Sequence, residues 1–139
     1  MDSAARVQIV ETVRLSFPDT EALYLYGSAA AGTLGPNSDV DLGLLLPHAR
    51  AREEGSLVLH DLRFDLEKLL NRDVDLVNLR RSPIVLQKEV LATGVLLYET
   101  DPATTAGYEM LVLSLYGKLN EERADILAAF AADKRAYKL

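Results

Sequence analysis

Cysteine is absent from this chain, which excludes both a disulfide and a thiolate metal site. Only His48 and His60 supply imidazole, too few for a zinc site of the usual kind. No stretch approaches the roughly 18 consecutive apolar residues of a membrane span, and Asp2 and Glu11 sit in an amphipathic N-terminal pattern rather than in a signal peptide. The expected compartment is therefore the cytoplasm. Positive charge is in short supply as well. With a net charge of −6 and a sequence pI of about 4.9, most of the surface repels a polyanion. This disfavours direct nucleic-acid binding and, with it, a template-reading polymerase. Internal repeats and low-complexity tracts are missing too. What remains, 139 residues that are 49% apolar, reads as one domain over 1–139 with a modest core.

The informative part of what is present is Leu23 to Leu46, LYLYGSAAAGTLGPNSDVDLGLLL. Leu23–Tyr26 is a short apolar and aromatic run that stops at Gly27, the pattern of a buried strand ending in a tight turn. Ser28 then opens Ala29-Ala30-Ala31, a helix start with a hydroxyl at its head. Free backbone N–H groups beside a residue without Cβ let a phosphate approach closely, so Gly27 and Ser28 are the candidate nucleotide-binding residues.

Ten residues further on, Asp39 and Asp41 open a second apolar strand, Val40–Leu46. Alternation puts their side chains on one face. Two crowded carboxylates ionise together only with a cation between them, and oxygen ligands of this type suit Mg²⁺, which completes its shell with phosphate oxygens and water. A phosphate cradle beside a Mg²⁺ clamp implies phosphoryl or nucleotidyl transfer. The residues also admit a plainer reading, since Gly-Ser is a common turn and Gly35-Pro36-Asn37-Ser38-Asp39 satisfies the requirements of a local one.

This Gly-Ser, ten-residue gap, Asp-x-Asp pattern resembles the signature of the DNA polymerase beta-type nucleotidyltransferase superfamily. The resemblance implies an α/β (α+β) nucleotidyltransferase fold, a small mixed sheet flanked by helices, and a third carboxylate from a later strand. Arg72-Asp73-Val74-Asp75-Leu76-Val77-Asn78-Leu79 meets that demand: alternation sets Asp75 opposite Val74 and Leu76, while Asp73 sits at the strand mouth and is the weaker candidate.

The remaining segments surround this centre. A helix is expected over Ala4–Ser16, with Val7, Val10, Val13 or Arg14 and Leu15 toward the sheet and Phe17-Pro18-Asp19 ending it. Pro47 and His48 lead into a polar segment around Gly55. A helix follows with Leu59, Leu62, Leu66, Leu69 and Leu70 inward and His60, Arg63 and Glu67 solvated. Arg80 and Arg81 stand either as solvated loop charges or as arms toward a triphosphate or a partner. Ser82-Pro83 is expected to cap a helix to about Ala92, and Val95–Tyr98 to form a further strand. The long final helix, Pro102 to about Asp133, carries the stripe Tyr108, Leu111, Val112, Leu115, Leu119, Ile126, Leu127 and Phe130. It offers more apolar surface than a domain of this size covers, so part of it is expected to meet another chain. Gly117 interrupts it as a candidate bend, and a basic tail follows from Lys134 to Lys138.

Over nearly its full length the chain is similar to the minimal nucleotidyltransferase (MNT) antitoxins of HEPN/MNT toxin–antitoxin pairs, including the strand that carries Asp75. That resemblance implies transfer of AMP from ATP to a tyrosine of a partner HEPN toxin, an RNase, in a hetero-oligomer. It further implies two Mg²⁺ ions held by Asp39, Asp41 and Asp75, with Ser28 and the Gly27 backbone on the β- and γ-phosphates. Two other readings stand beside it: an antitoxin that neutralises by covering its toxin, and a small-molecule enzyme of the aminoglycoside nucleotidyltransferase type.

Overall fold

The computed structural model describes residues 1–136, with side chains described through 133. The elements run α1 (Ser3–Ser16), β1 (Ala22–Tyr26), α2 (Gly27–Ala31), β2 (Val40–Leu45), α3 (His48–Glu54), α4 (Asp61–Leu70) and β3 (Val74–Asn78). A 3-10 turn (Leu79–Arg81), α5 (Ile84–Thr93), β4 (Val95–Glu99) and α6 (Pro102–Ala136) complete the described chain. The four strands lie in the order β3-β2-β1-β4. β1 is antiparallel to both β2 and β4, whereas β2 and β3 are parallel. Parallel neighbours need a crossover, here supplied by α3 and α4. The result is the expected small mixed sheet flanked by helices.

Strand alternation divides the sheet into two faces. Leu23, Leu25, Val40, Leu42, Leu44, Val74 and Leu76 point to one side, where they close a core with Ile9 and Val13 of α1 and Leu62 and Leu66 of α4. Ala22, Tyr24, Tyr26, Leu45, Leu79, Val90, Tyr108 and Val112 form a second, smaller core on the other side under α5 and α6. Each fully buried leucine contributes about 1.5–3 kcal/mol, so burial on both faces dominates the stability of β2. Two tyrosines tie the second core together: the Tyr24 hydroxyl donates to Glu109 Oε1 at 2.8 Å and the Tyr108 hydroxyl to Gln87 Oε1 at 2.8 Å.

Several local expectations are corrected. In α1, Ile9 and Val13 are the buried pair, whereas Val7 is exposed and Leu15 is 85% exposed, because an i, i+4 pair at 9 and 13 sets the phase of the helix. The polar segment after β2 contains the helix α3, which buries only Ala51 and therefore shows no apolar period. α4 begins at Asp61, since His60 Nδ1 accepts from the Leu62 N–H at 3.0 Å as its cap, leaving Leu59 outside and 82% exposed. Ser82 does not cap α5; its hydroxyl donates to the Asn78 carbonyl at 2.9 Å. In α6 the stripe divides: Tyr108 and Val112 are buried, while Leu111, Leu115, Ile126, Leu127 and Phe130 are exposed. The helix runs on through Gly117. The basic tail Lys134–Lys138 lies outside the residues with described side chains.

Arg80 is neither a solvated loop charge nor an arm toward phosphate. It follows β3 at the end of the sheet remote from Asp41 and Asp75. There Nε donates to the Leu46 carbonyl at 2.6 Å, Nη2 pairs with Glu21 at 3.0 Å, and the guanidinium lies 5.3 Å from the centre of the Tyr108 ring. One side chain thus holds the ends of β1 and β2 to α6. Arg80→Ala is expected to cost about 1.5–3 kcal/mol in chemical denaturation, the range for losing hydrogen bonds to a charged group and leaving Glu21 unpaired. Catalytic constants of the folded fraction should stay unchanged.

Candidate active site

Backbone register assembles the site. Tyr26 opposes Asp41 across the antiparallel β1–β2 ladder, and Asp41 opposes Asp75 across the parallel β2–β3 ladder. Residues directly opposed across a ladder share a face, so Tyr26, Asp41 and Asp75 form one row across three strands. Asp39 lies just ahead of β2, near enough for its charge to act on Asp41. Asp39 and Asp75 are exposed and Asp41 is half-buried.

Crowding is visible in the electrostatics. Burial pushes the Asp41 carboxyl above the ordinary carboxylate range, and the charges of Asp75 and then Asp39 push it the same way. Burial likewise raises the Tyr26 hydroxyl far above the usual phenol range, reinforced by Asp75, Asp41 and Glu89. Tyr26, read from sequence only as part of a buried strand, therefore borders the acidic row.

The Gly-Ser turn and the Asp-x-Asp strand are sterically coupled. Gly27 has φ +68°, in the left-handed region, and a Cβ there would collide with Asp41 Oδ2. The Asp41 carboxylate thus rests against the glycine that begins α2, and Ser28 follows half-buried.

Two further elements position the acids, and neither was marked by a sequence signal beyond being charged. Arg72, between α4 and β3, donates from Nη1 to the carbonyls of Gly35 and Ser38. The same turn is closed by the Gly35 N–H donating to Ser38 Oγ at 2.9 Å, so one guanidinium ties the approach to Asp39 to the approach to Asp75. Arg63 and Glu67, expected on a solvated face, instead reach the outer edge of β3. Arg63 Nε donates to the Val74 carbonyl at 2.9 Å, and Glu67 Oε2 accepts the Val74 N–H at 3.1 Å. They occupy the backbone groups of an otherwise open edge strand, immediately before Asp75.

The structure therefore brings Gly27, Ser28, Asp39, Asp41 and Asp75 to one end of the sheet and sets Arg80 apart from them. Among the described residues, no three acidic or histidine side chains stand close enough to hold an ion as placed. Mg²⁺ does not require that, because it binds through one or two carboxylates and takes its other ligands from phosphate and water. A cation is also what relieves the mutual repulsion around Asp41, so the donor set fits a hard divalent ion.

Fold and site define a nucleotidyltransferase, and the chain belongs to the polymerase beta nucleotidyltransferase family: residues 8–103 match the family described as "Polymerase beta, Nucleotidyltransferase". The chain is 30% identical over 129 residues to the protein adenylyltransferase MntA of Shewanella oneidensis, spanning 93% of this chain and 89% of that protein. A crystal structure of a toxin–antitoxin with AMP-PNP superimposes with a TM-score of 0.72 at 29% identity, over 88% of this chain and 94% of the other. The structure of a tri-AMPylated Shewanella oneidensis HEPN toxin in complex with MNT antitoxin gives a TM-score of 0.69 at 26% identity, over 91% and 96% of the two chains.

Proposed function

We propose that this chain, working as a single minimal domain in the cytoplasm, is an antitoxin-type protein adenylyltransferase. It transfers AMP from ATP to a tyrosine hydroxyl of a cognate HEPN RNase toxin. The observation that carries the reading is the cross-strand row setting Asp75 beside Asp41, next to the Gly27–Ser28 turn, in a chain similar along 93% of its length to a protein adenylyltransferase.

Asp39, Asp41 and Asp75 would hold two Mg²⁺ ions, which supply neutralisation of the triphosphate charge and a lowered pKa for the attacking hydroxyl. The chain's own residues do the rest. The Gly27 backbone and Ser28 hold the β- and γ-phosphates, fixing the α-phosphorus in front of Asp41 and Asp75. The tyrosine oxygen forms a bond to the α-phosphorus as the bond from that phosphorus to the oxygen bridging to the β-phosphate breaks. Pyrophosphate leaves with the electron pair of the broken bond, and the phenolic proton passes to the Asp75 carboxylate and on to water. The intact acidic trio opposes a purely covering antitoxin, for which paired carboxylates would be an unrelieved electrostatic cost.

Mass spectrometry of the cognate toxin, after incubation with this chain, ATP and Mg²⁺, tests the reading. The expected result is a gain of one or more AMP units mapped to tyrosine. A toxin that is bound and silenced with its mass unchanged would establish the covering role instead.

A further inference from the structure

The geometry points to an acceptor-tyrosine pocket on the outer side of β3, an inference that rests on the transferase reading above and deepens it. A cavity of about 320 Å³ opens there, lined by Asp39, Val58, Arg63, Asp73, Val74 and Asp75. Its position follows from the direction of the reaction. The Gly27–Ser28 turn extends β1, whereas Asp75 lies on β3, with β2 between them in the order β3-β2-β1-β4. In-line displacement requires attacking and leaving oxygens on opposite sides of the phosphorus. With pyrophosphate leaving toward the turn on β1, the attacking hydroxyl arrives across β3, the side on which this cavity opens.

The walls suit a phenol. Val58 is 52% exposed and offers apolar surface to a ring. The Arg63 guanidinium is held by Nε to the Val74 carbonyl at 2.9 Å, by Nη1 to the Val58 carbonyl at 2.8 Å and by Nη2 to Glu67 at 3.6 Å, and lies 5.4 Å from the centre of the Phe64 ring, so it forms a fixed wall of the cavity. Asp39 and Asp75 supply carboxylates to the same cavity, where the hydroxyl must lose its proton. The pocket thus joins an apolar wall for a ring to carboxylates for its hydroxyl.

The lack of cysteine makes the test direct. Val58→Cys introduces a single thiol at the pocket wall, to be modified with a bulky maleimide and quenched before the toxin is added. Leu59→Cys, at a neighbouring position 82% exposed and outside the cavity lining, is the control. The bulky adduct is expected to lower kcat about tenfold or more relative to unmodified Val58→Cys, which serves as its own reference whatever its rate. Affinities for a fluorescent ATP analogue with Mg²⁺ and for the toxin should be unchanged, as should transfer by the Leu59→Cys adduct. A Val58 adduct that transfers like the unmodified chain overturns the pocket, as does a loss traced wholly to weakened ATP or toxin binding. A parent chain that binds toxin and ATP but never modifies the toxin refutes the transferase reading itself, and the pocket falls with it.

Discussion

Changing Asp39 and Asp41 together to Asn is expected to lower AMP transfer by about 10³-fold or more, since stabilisation by bound metal is worth several kcal/mol and each 1.36 kcal/mol is a factor of ten. Stability should move the other way. Burial, Asp75 and Asp39 all raise the Asp41 carboxyl in the folded chain, so its protonated form is favoured there. A group with a raised folded pKa contributes stability below its unfolded pKa, and that contribution is lost as pH rises through the folded value. At neutral pH without metal, ionised Asp41 is therefore a burden that Asn removes, and the double variant should melt at or above the temperature of the parent. Adding Mg²⁺ reverses the order. Metal bound only by the folded parent adds about 2.7 kcal/mol at a concentration 100 times its Kd, and the variant should gain almost none of this. Thermal melts with and without Mg²⁺ check the metal assignment independently of catalysis.

The second large effect is expected at Gly27. Gly27→Ala combines a left-handed backbone with a Cβ that collides with Asp41 Oδ2. The backbone term alone costs about 1–2 kcal/mol for an L-residue. The collision moves the central carboxylate of the acidic row, and misplacement of about 1 Å in an oriented site costs on the order of 10²-fold in rate. Gly32→Ala separates the two contributions. Gly32 has φ +76° but nothing within 4 Å of its Cβ position. It should therefore show the stability loss with little change in transfer, when each rate is measured on folded protein. Equal rates for the two variants would mean that the packing of Gly27 under Asp41 has no catalytic consequence.

The parts of the molecule that could be read ahead of the structure share one property, that neighbours in sequence decide them. Leu23–Tyr26 followed by Gly-Ser is a strand and a turn by local pattern. Asp39 and Asp41 stand near each other because only one residue separates them at the start of β2. Where the readings failed, distant partners had won. Arg63 and Glu67 sit on a helix in a pattern that looks solvated, and only the arrival of β3 beside α4 supplies the Val74 backbone they bind. Arg80 lacks any local partner, and its carbonyl, carboxylate and aromatic neighbours come from Leu46, Glu21 and Tyr108. The α3 segment failed for the opposite reason, because a helix that buries one alanine leaves no periodic trace.

By itself, then, the sequence determined which acids stand at a strand mouth beside a Gly-Ser turn, and hence that the chemistry is phosphoryl or nucleotidyl transfer, which the family resemblance narrows to nucleotidyl transfer. Only the tertiary structure decided that Asp75 is the immediate neighbour of Asp41, that Tyr26 closes the row, and that an aromatic-sized cavity opens past β3. The reason is that periodicity specifies the direction of a side chain within its own strand, whereas cross-strand register is set by how two cores pack on opposite faces of the sheet.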